Sequence, residues 1–163
     1  MNYHNITKDD MLNGDGLRVV LWTAGCTHKC KNCQNPITWD IKGGIPFDDA
    51  AREEIFAELE KSYISGLTLS GGDPLHPANC YVVTDLAAKA KERYPDKTIW
   101  LYTGFDWDEI NTLPILEYVD VVVDGNYMDD LRDTKLHWRG SSNQRVIDVK
   151  KSLASDSIVL HCE

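Results

Sequence analysis

No apolar run in the sequence approaches the roughly 18 residues of a membrane span, so no membrane partner is expected. Nor is there a basic excess: 17 Lys and Arg stand against 26 Asp and Glu, a net charge of −9. Such a surface repels phosphate backbones, which excludes nucleic acid as an expected partner. The opening residues, "MNYHNITKDDMLNGDG", lack the basic and apolar regions of a secretory signal. The expected location is therefore the cytoplasm, where clustered thiols point to metal binding or catalysis rather than to disulfides. Internal repeats and low-complexity tracts are also missing. At 163 residues the chain is too short for two comfortable domains, and a single domain over 1–163 is expected.

What is present has the composition of an ordinary globular protein, with 42% hydrophobic and 26% charged residues. "LRVVLWT" at 17–23 reads as a strand that follows the turn signal "NGDG" and runs into a cysteine-rich loop. Residues 48–63 read as a helix, 66–69 as a short strand, 79–94 as a helix and 98–102 as a strand. A helix over 106–118 should kink or break at Pro114. Strands follow at 120–124 and, more weakly, at 145–149 and 158–161. Alternating strands and helices predict βαβ units and a mainly parallel sheet. Since a full eight-unit barrel needs about 250 residues, the expected fold is α/β, a partial, open (β/α) barrel. Ligands of parallel sheets gather at the carboxyl ends of strands, where the cysteine loop, "SGGDP", "TGF" and "DGNY" all fall.

Three of the five cysteines, Cys26, Cys30 and Cys33, are spaced C-x3-C-x2-C within "GCTHKCKNCQNPITW". A disulfide uses two thiols and a structural zinc site four ligands. An all-protein iron–sulfur cubane also uses four thiolates, so three leave one iron open, as a catalytic metal keeps a position for substrate. A zinc site completed by His28, or an electron-transfer centre completed by distant Cys80 or Cys162, are the alternatives. Cys80 reads as a small core residue and Cys162 as an exposed bystander. In "SGGDP", Gly71 and Gly72 leave room for a ligand against the strand edge, although the same segment also reads as a plain turn. Asp124-Gly125-Asn126 is read equally as a turn. The tryptophans are read as core or rim, and Arg139 to Gln144 as a recognition loop or a polar connection.

A C-x3-C-x2-C loop after a strand, followed by a strand ending in Gly-Gly-acidic, resembles the radical S-adenosylmethionine enzymes. "NGDGLR", "LSGGDPLHPAN", "IWLYTGF", "VDVVVDGNY" and "WRGSSNQRVI" extend that resemblance from about Asn13 to Ile147. Together these segments resemble the glycyl-radical-enzyme activating family that serves anaerobic ribonucleoside-triphosphate reductases. The resemblance implies one 4Fe-4S cluster on Cys26, Cys30 and Cys33, and S-adenosylmethionine as cofactor. It implies cofactor contacts from Asn32, Cys33, Gln34, Gly71, Gly72, Asp73, Thr103 and Asp124. Many relatives place an aromatic residue where this chain has Asn32, which implies contact there through the backbone. It further implies reductive cleavage of the cofactor and hydrogen abstraction from a glycine Cα of the reductase, with a reduced flavodoxin-like electron donor. Activation of a formate-lyase type of enzyme is the nearest alternative within the same superfamily.

Overall fold

The computed structural model describes residues 1–162. Among these, seven strands form one sheet: β1 (Asn2–Asp10), β2 (Leu17–Thr23), β3 (Ile45–Pro46), β4 (Ile64–Gly71), β5 (Thr98–Tyr102), β6 (Val121–Asp124) and β7 (Arg145–Asp148). Their order is β3-β1-β2-β4-β5-β6-β7. The central strands β2, β4, β5 and β6 run parallel, joined by crossovers that carry helices α1 (Asp49–Leu59), α2 (Cys80–Arg93) and α3 (Trp107–Ile110). The margins are antiparallel: β1 and β3 on one side, β7 on the other, followed by helix α4 (Val149–Ser155). The α/β class and the parallel centre are thus as expected; the sheet is mixed, and it does not close.

Side chains of successive strand residues point to opposite faces, and the central strands use the two faces differently. Val19, Leu21, Leu67, Leu69, Ile99, Leu101 and Val122 point to one face, where Ile55 and Leu59 of α1 and Val83, Leu86 and Ala87 of α2 complete an aliphatic core. Asp48 caps α1 by accepting a hydrogen bond from Ala51 N. Lys91 of α2 reaches Asp120 at 2.7 Å, and Asp120 also accepts from the Ile99 amide, which ties α2 to the start of β5 and β6.

The other face has a different composition. Registers place Val20, Thr68, Trp100 and Val121 in one row across the sheet, and Trp22, Ser70 and Tyr102 in the next row toward the strand ends. One row below, Arg18 lies opposite Gly66, which pairs with Thr98. Arg18 is fully buried, and among the described residues no carboxylate pairs with it. Instead it donates to the carbonyls of Asp15, Leu67 and Thr98 and to the hydroxyls of Thr68 and Thr98, with its guanidinium 5.6 Å from the centre of the Trp100 ring. Burial lowers its pKa to about 10, so it keeps its charge at neutral pH.

Several expectations need correction. β1 was not read as a strand because its alternation is broken: the register with β2 shifts twice, and Asp9 adopts φ 52°. The break expected in the helix over 106–118 is present: α3 and a 3-10 turn at Pro114–Glu117 are separate, with Pro114 opening the second piece. The strand expected at 158–161 is a single bridge between Leu160 and Ile147. Helix α4 was missed; its start is capped by Asp148, which accepts from Lys151 N at 3.0 Å. Cys162 is no bystander: it is half-buried and packs near Trp100.

Gly66 leaves the space that Arg18 fills, and a Cβ there would collide with the Thr98 carbonyl and lie 2.8 Å from Arg18 Nη2. Gly66→Ala should therefore lower the unfolding free energy by about 2–3 kcal/mol, as overpacking of a tight interior does. Urea denaturation of the metal-free chain measures this; an unchanged midpoint would contradict the packing described.

Candidate functional site

The carboxyl ends of β2, β4, β5 and β6 open onto one cleft of about 520 Å³. Cys26, Cys30, Cys33 and Gln34 line it from the loop after β2, Gly71 and Gly72 from the end of β4, and Thr103 and Gly104 from the end of β5. The segment from Gly125 to Gln144 covers it from the far side. All three thiols are free and half-buried.

The cysteine loop is held by its backbone. The Gly25 amide donates to Thr38 O at 2.7 Å and Cys26 N to Trp39 O at 3.1 Å, so the loop folds back onto the 3-10 turn Pro36–Trp39. Lys29 and Asn32 take left-handed conformations, which lets the chain turn sharply between successive cysteines. The Asn35 amide points at Cys33 Sγ from 3.4 Å. Burial raises the pKa of both Cys26 and Cys30; backbone amides of His28 and Tyr127, respectively, act in the opposite direction by favouring the thiolate.

Asp73 joins the walls of the cleft. It is 1% exposed, and its carboxylate accepts from Thr103 Oγ1 at 3.0 Å, Gly104 N at 2.9 Å and Leu75 N at 2.9 Å. His28 Nε2 lies 2.6 Å from the same carboxylate. This hydrogen bond raises the His28 pKa, although burial opposes it. His28 is thereby turned toward Asp73 and packed edge-on against Phe105, between two cysteines. No three Cys, His, Asp or Glu side chains among the described residues are placed to hold a single metal ion. Three thiols spread around one cleft suit a cluster, whose thiolates bind different irons, better than a mononuclear ion.

The sequence-predicted residues divide into groups. Cys26, Cys30, Cys33, Gln34, Gly71, Gly72 and Thr103 line the cleft together. Asp73 is buried behind it as the clamp just described. Asn32 is exposed, and its Nδ2 donates to Asp129 Oδ2 at 2.8 Å, which latches the cysteine loop to the segment after β6. Asp124 is turned away: its carboxylate accepts from Trp107 N at 2.8 Å and pairs with Arg145 at 2.6 Å. Asp124 does not line the cleft; its buried carboxylate holds β6 to α3 and β7.

Gly72 also differs from expectation. A Cβ there would lie 2.5 Å from Gly25 O and 2.6 Å from Thr38 O, backbone atoms of the cysteine loop and its supporting turn. The bare glycine serves the seating of that loop as much as space for a ligand. Sequence reasoning named Gln144 only as the end of the Arg139 to Gln144 segment and gave it no bracing role, whereas its side chain accepts from the Gly140 and Ser141 amides and donates to Gly125 O at 3.0 Å. It also missed Asn79, fully buried and donating to Ala24 O at 2.7 Å just before the cysteine loop. Neither has a local signal, since each works across a tertiary contact. In the metal-free chain, Gly72→Ala should speed hydrogen exchange at the Gly25 and Cys26 amides roughly tenfold, the effect of about 1.4 kcal/mol of lost loop stability. Unchanged exchange at both amides would show that the loop does not rest on Gly72.

A family model described as a 4Fe-4S single cluster domain matches residues 12–147. The chain is 48% identical over 146 residues to the anaerobic ribonucleoside-triphosphate reductase-activating protein of Enterobacteria phage T4, covering 90% of this chain and 93% of that one. It is 42% identical to the protein of that name from Haemophilus influenzae, over 88% and 96% of the two chains. With that of Escherichia coli (strain K12) it shares 41% identity over 90% and 97%. Likeness of this extent spans the cysteine loop, the whole parallel sheet and the segment over the cleft, and the chain belongs to the anaerobic ribonucleoside-triphosphate reductase-activating protein family.

Proposed function

We propose that the chain is a radical S-adenosylmethionine activase that installs a glycyl radical on an anaerobic ribonucleoside-triphosphate reductase. The observation that carries this reading is the set of three free thiols on one wall of a cleft, with the two remaining cysteines elsewhere: Cys80 packs toward the helical core and Cys162 toward Trp100. Cys26, Cys30 and Cys33 would hold one 4Fe-4S cluster and leave one iron for the amino and carboxylate groups of the cofactor. When bound, the cluster would supply the electron for reductive cleavage of S-adenosylmethionine, the chemistry through which a hydrogen atom would be abstracted from a glycine Cα of the partner. A reduced flavodoxin-like protein is the proposed source of that electron.

The chain's own residues bind and orient. Gly71 and Gly72 present bare backbone at the end of β4, where the methionine part of the cofactor would lie, and Thr103 and Gly104 border it from β5. Gln34, exposed beside Cys33, and the Asn32 backbone border the adenosine side. Asp73 touches no ligand in this reading; it is a positioning residue that keeps the cysteine loop, through His28, in register with the end of β5. The open sheet fits a partial barrel of the radical type acting as one domain, wide enough to admit a loop of a folded protein.

Anaerobic reconstitution should load about four irons per chain, lost in Cys26→Ala, Cys30→Ala and Cys33→Ala but kept in Cys80→Ala and Cys162→Ala. Stoichiometric zinc with no uptake of iron would reject the cluster. The reduced chain mixed with S-adenosylmethionine and the anaerobic reductase should give a glycine-centred doublet by electron paramagnetic resonance. That doublet should vanish when the radical-bearing glycine of the reductase is replaced by alanine. Cofactor cleavage without a protein radical would reject the reductase as partner and leave the cofactor chemistry standing.

A further inference from the structure

Among the described residues, three hydrogen-bond donors on the cleft lining are buried without a partner: the Tyr102 hydroxyl, Trp138 Nε1 and Arg139 Nε. None pairs with another. Buried donors of this kind ordinarily find an acceptor, so orphans gathered on one small surface indicate a missing acceptor group. Trp22 lines the same cleft and shows the contrast, since its Nε1–H donates to Thr7 Oγ1 at 3.0 Å.

The backbone at Trp138 adds a second observation. Trp138 has φ 66°, a left-handed conformation that a bulky side chain adopts only when its surroundings impose it. Those surroundings are visible. Its ring meets Trp100 edge-on at 5.7 Å and is stacked by His137 at 4.2 Å. The following residues are fixed by Arg139, which donates to Ser142 O and Gln144 O, and by the Gln144 side chain on Gly140 and Ser141. The strain aims an indole over the inner face of the sheet and leaves its N–H unused.

We propose that the Tyr102 O–H and Trp138 Nε1–H form a donor pair that binds main-chain carbonyls of the glycine-bearing segment of the protein substrate, an inference that rests on the glycyl-radical reading. Both rings pack on the cluster built around Trp100, in the body of the sheet, whereas the cysteines and Gly72 stand beyond the strand ends. A carbonyl is the one acceptor that every residue of a polypeptide supplies. A segment containing glycine also presents little bulk to the aromatic rings, so its main chain can approach both donors. Tyr102 and Trp138 thus hold the main chain of that segment in the cleft and contribute to its affinity.

The test uses the reconstituted full chain with S-adenosylmethionine, reductant and the anaerobic reductase, following the glycyl doublet against reductase concentration. Tyr102→Phe deletes one donor and keeps its ring, and Trp138→Phe deletes the other and keeps an aromatic, though smaller, ring. Each should raise the half-saturating reductase concentration about fivefold, the effect of one neutral hydrogen bond, and the double variant by about 25-fold. Iron content and the rate at saturating reductase should stay within about twofold of wild type in this reading. Half-saturation unchanged in both single variants would overturn the proposal and leave the activase reading intact, because the wild-type doublet would still form. Loss of iron or of cofactor cleavage in either variant would overturn it too, by showing that the donors serve the cluster or the cofactor. A wild-type chain that yields no doublet would overturn both.

Discussion

The site depends on one buried carboxylate. Asp73 stands where β4 ends, and its oxygens reach His28 in the cysteine loop and Thr103 and Gly104 at the end of β5. Without it, two loops that are far apart in sequence would have no polar connection behind the cleft. A charged group so buried needs its hydrogen bonds to offset desolvation, and Asp73 has four partners, one of them the histidine. The same arrangement constrains its neighbours. A Cβ at Gly104 would lie 2.5 Å from His28 Cδ2, so the glycine there is required by the histidine that Asp73 holds.

The two faces of the sheet explain why the cleft sits where it does. The helical face is aliphatic and closely packed, and it gives the sheet its stability. The opposite face has a different gradient, from Arg18 at one end through Trp100 to Ser70 and Tyr102 and then to bare glycines. Arg18 fills the lower end of this face, and the cleft that bears the cysteines opens toward the strand ends. The five hydrogen bonds of Arg18 go to hydroxyl and carbonyl oxygens, which makes this end of the interior specific in shape without a buried ion pair among the described residues.

Much of this was legible in the sequence, for identifiable reasons. β2 and β5 fall at the residues that β-branched and aromatic content marked, because a strand buried on both faces leaves a continuous apolar run. The cysteine spacing and the glycines after β4 located the cleft. What was not legible depends on partners distant in the chain. Asp124 and Asp73 look equivalent in sequence, as acidic residues after apolar strands, yet Arg145 draws one away from the cleft while His28 makes the other its clamp. β1 contributes only Tyr3 and Ile6 to the buried core, too few to show a period. Gln144 gave no sign that it braces two loops.

The strand order carries a consequence for how the molecule comes to exist. After the β1–β2 hairpin, β3 joins the free edge of β1, and β4, β5, β6 and β7 are then added in turn from the other edge, beginning beside β2. A nascent polypeptide can therefore extend the sheet at its edges as it leaves the ribosome, with no strand inserted between two already paired. The loop bearing the thiols emerges early, but its clamp lacks Thr103 and Gly104 until some 70 residues later, a delay set by sequence separation rather than by any slow chemical step. Through that interval the thiols belong to a loop not yet braced, so the cleft matures with the second half of the chain.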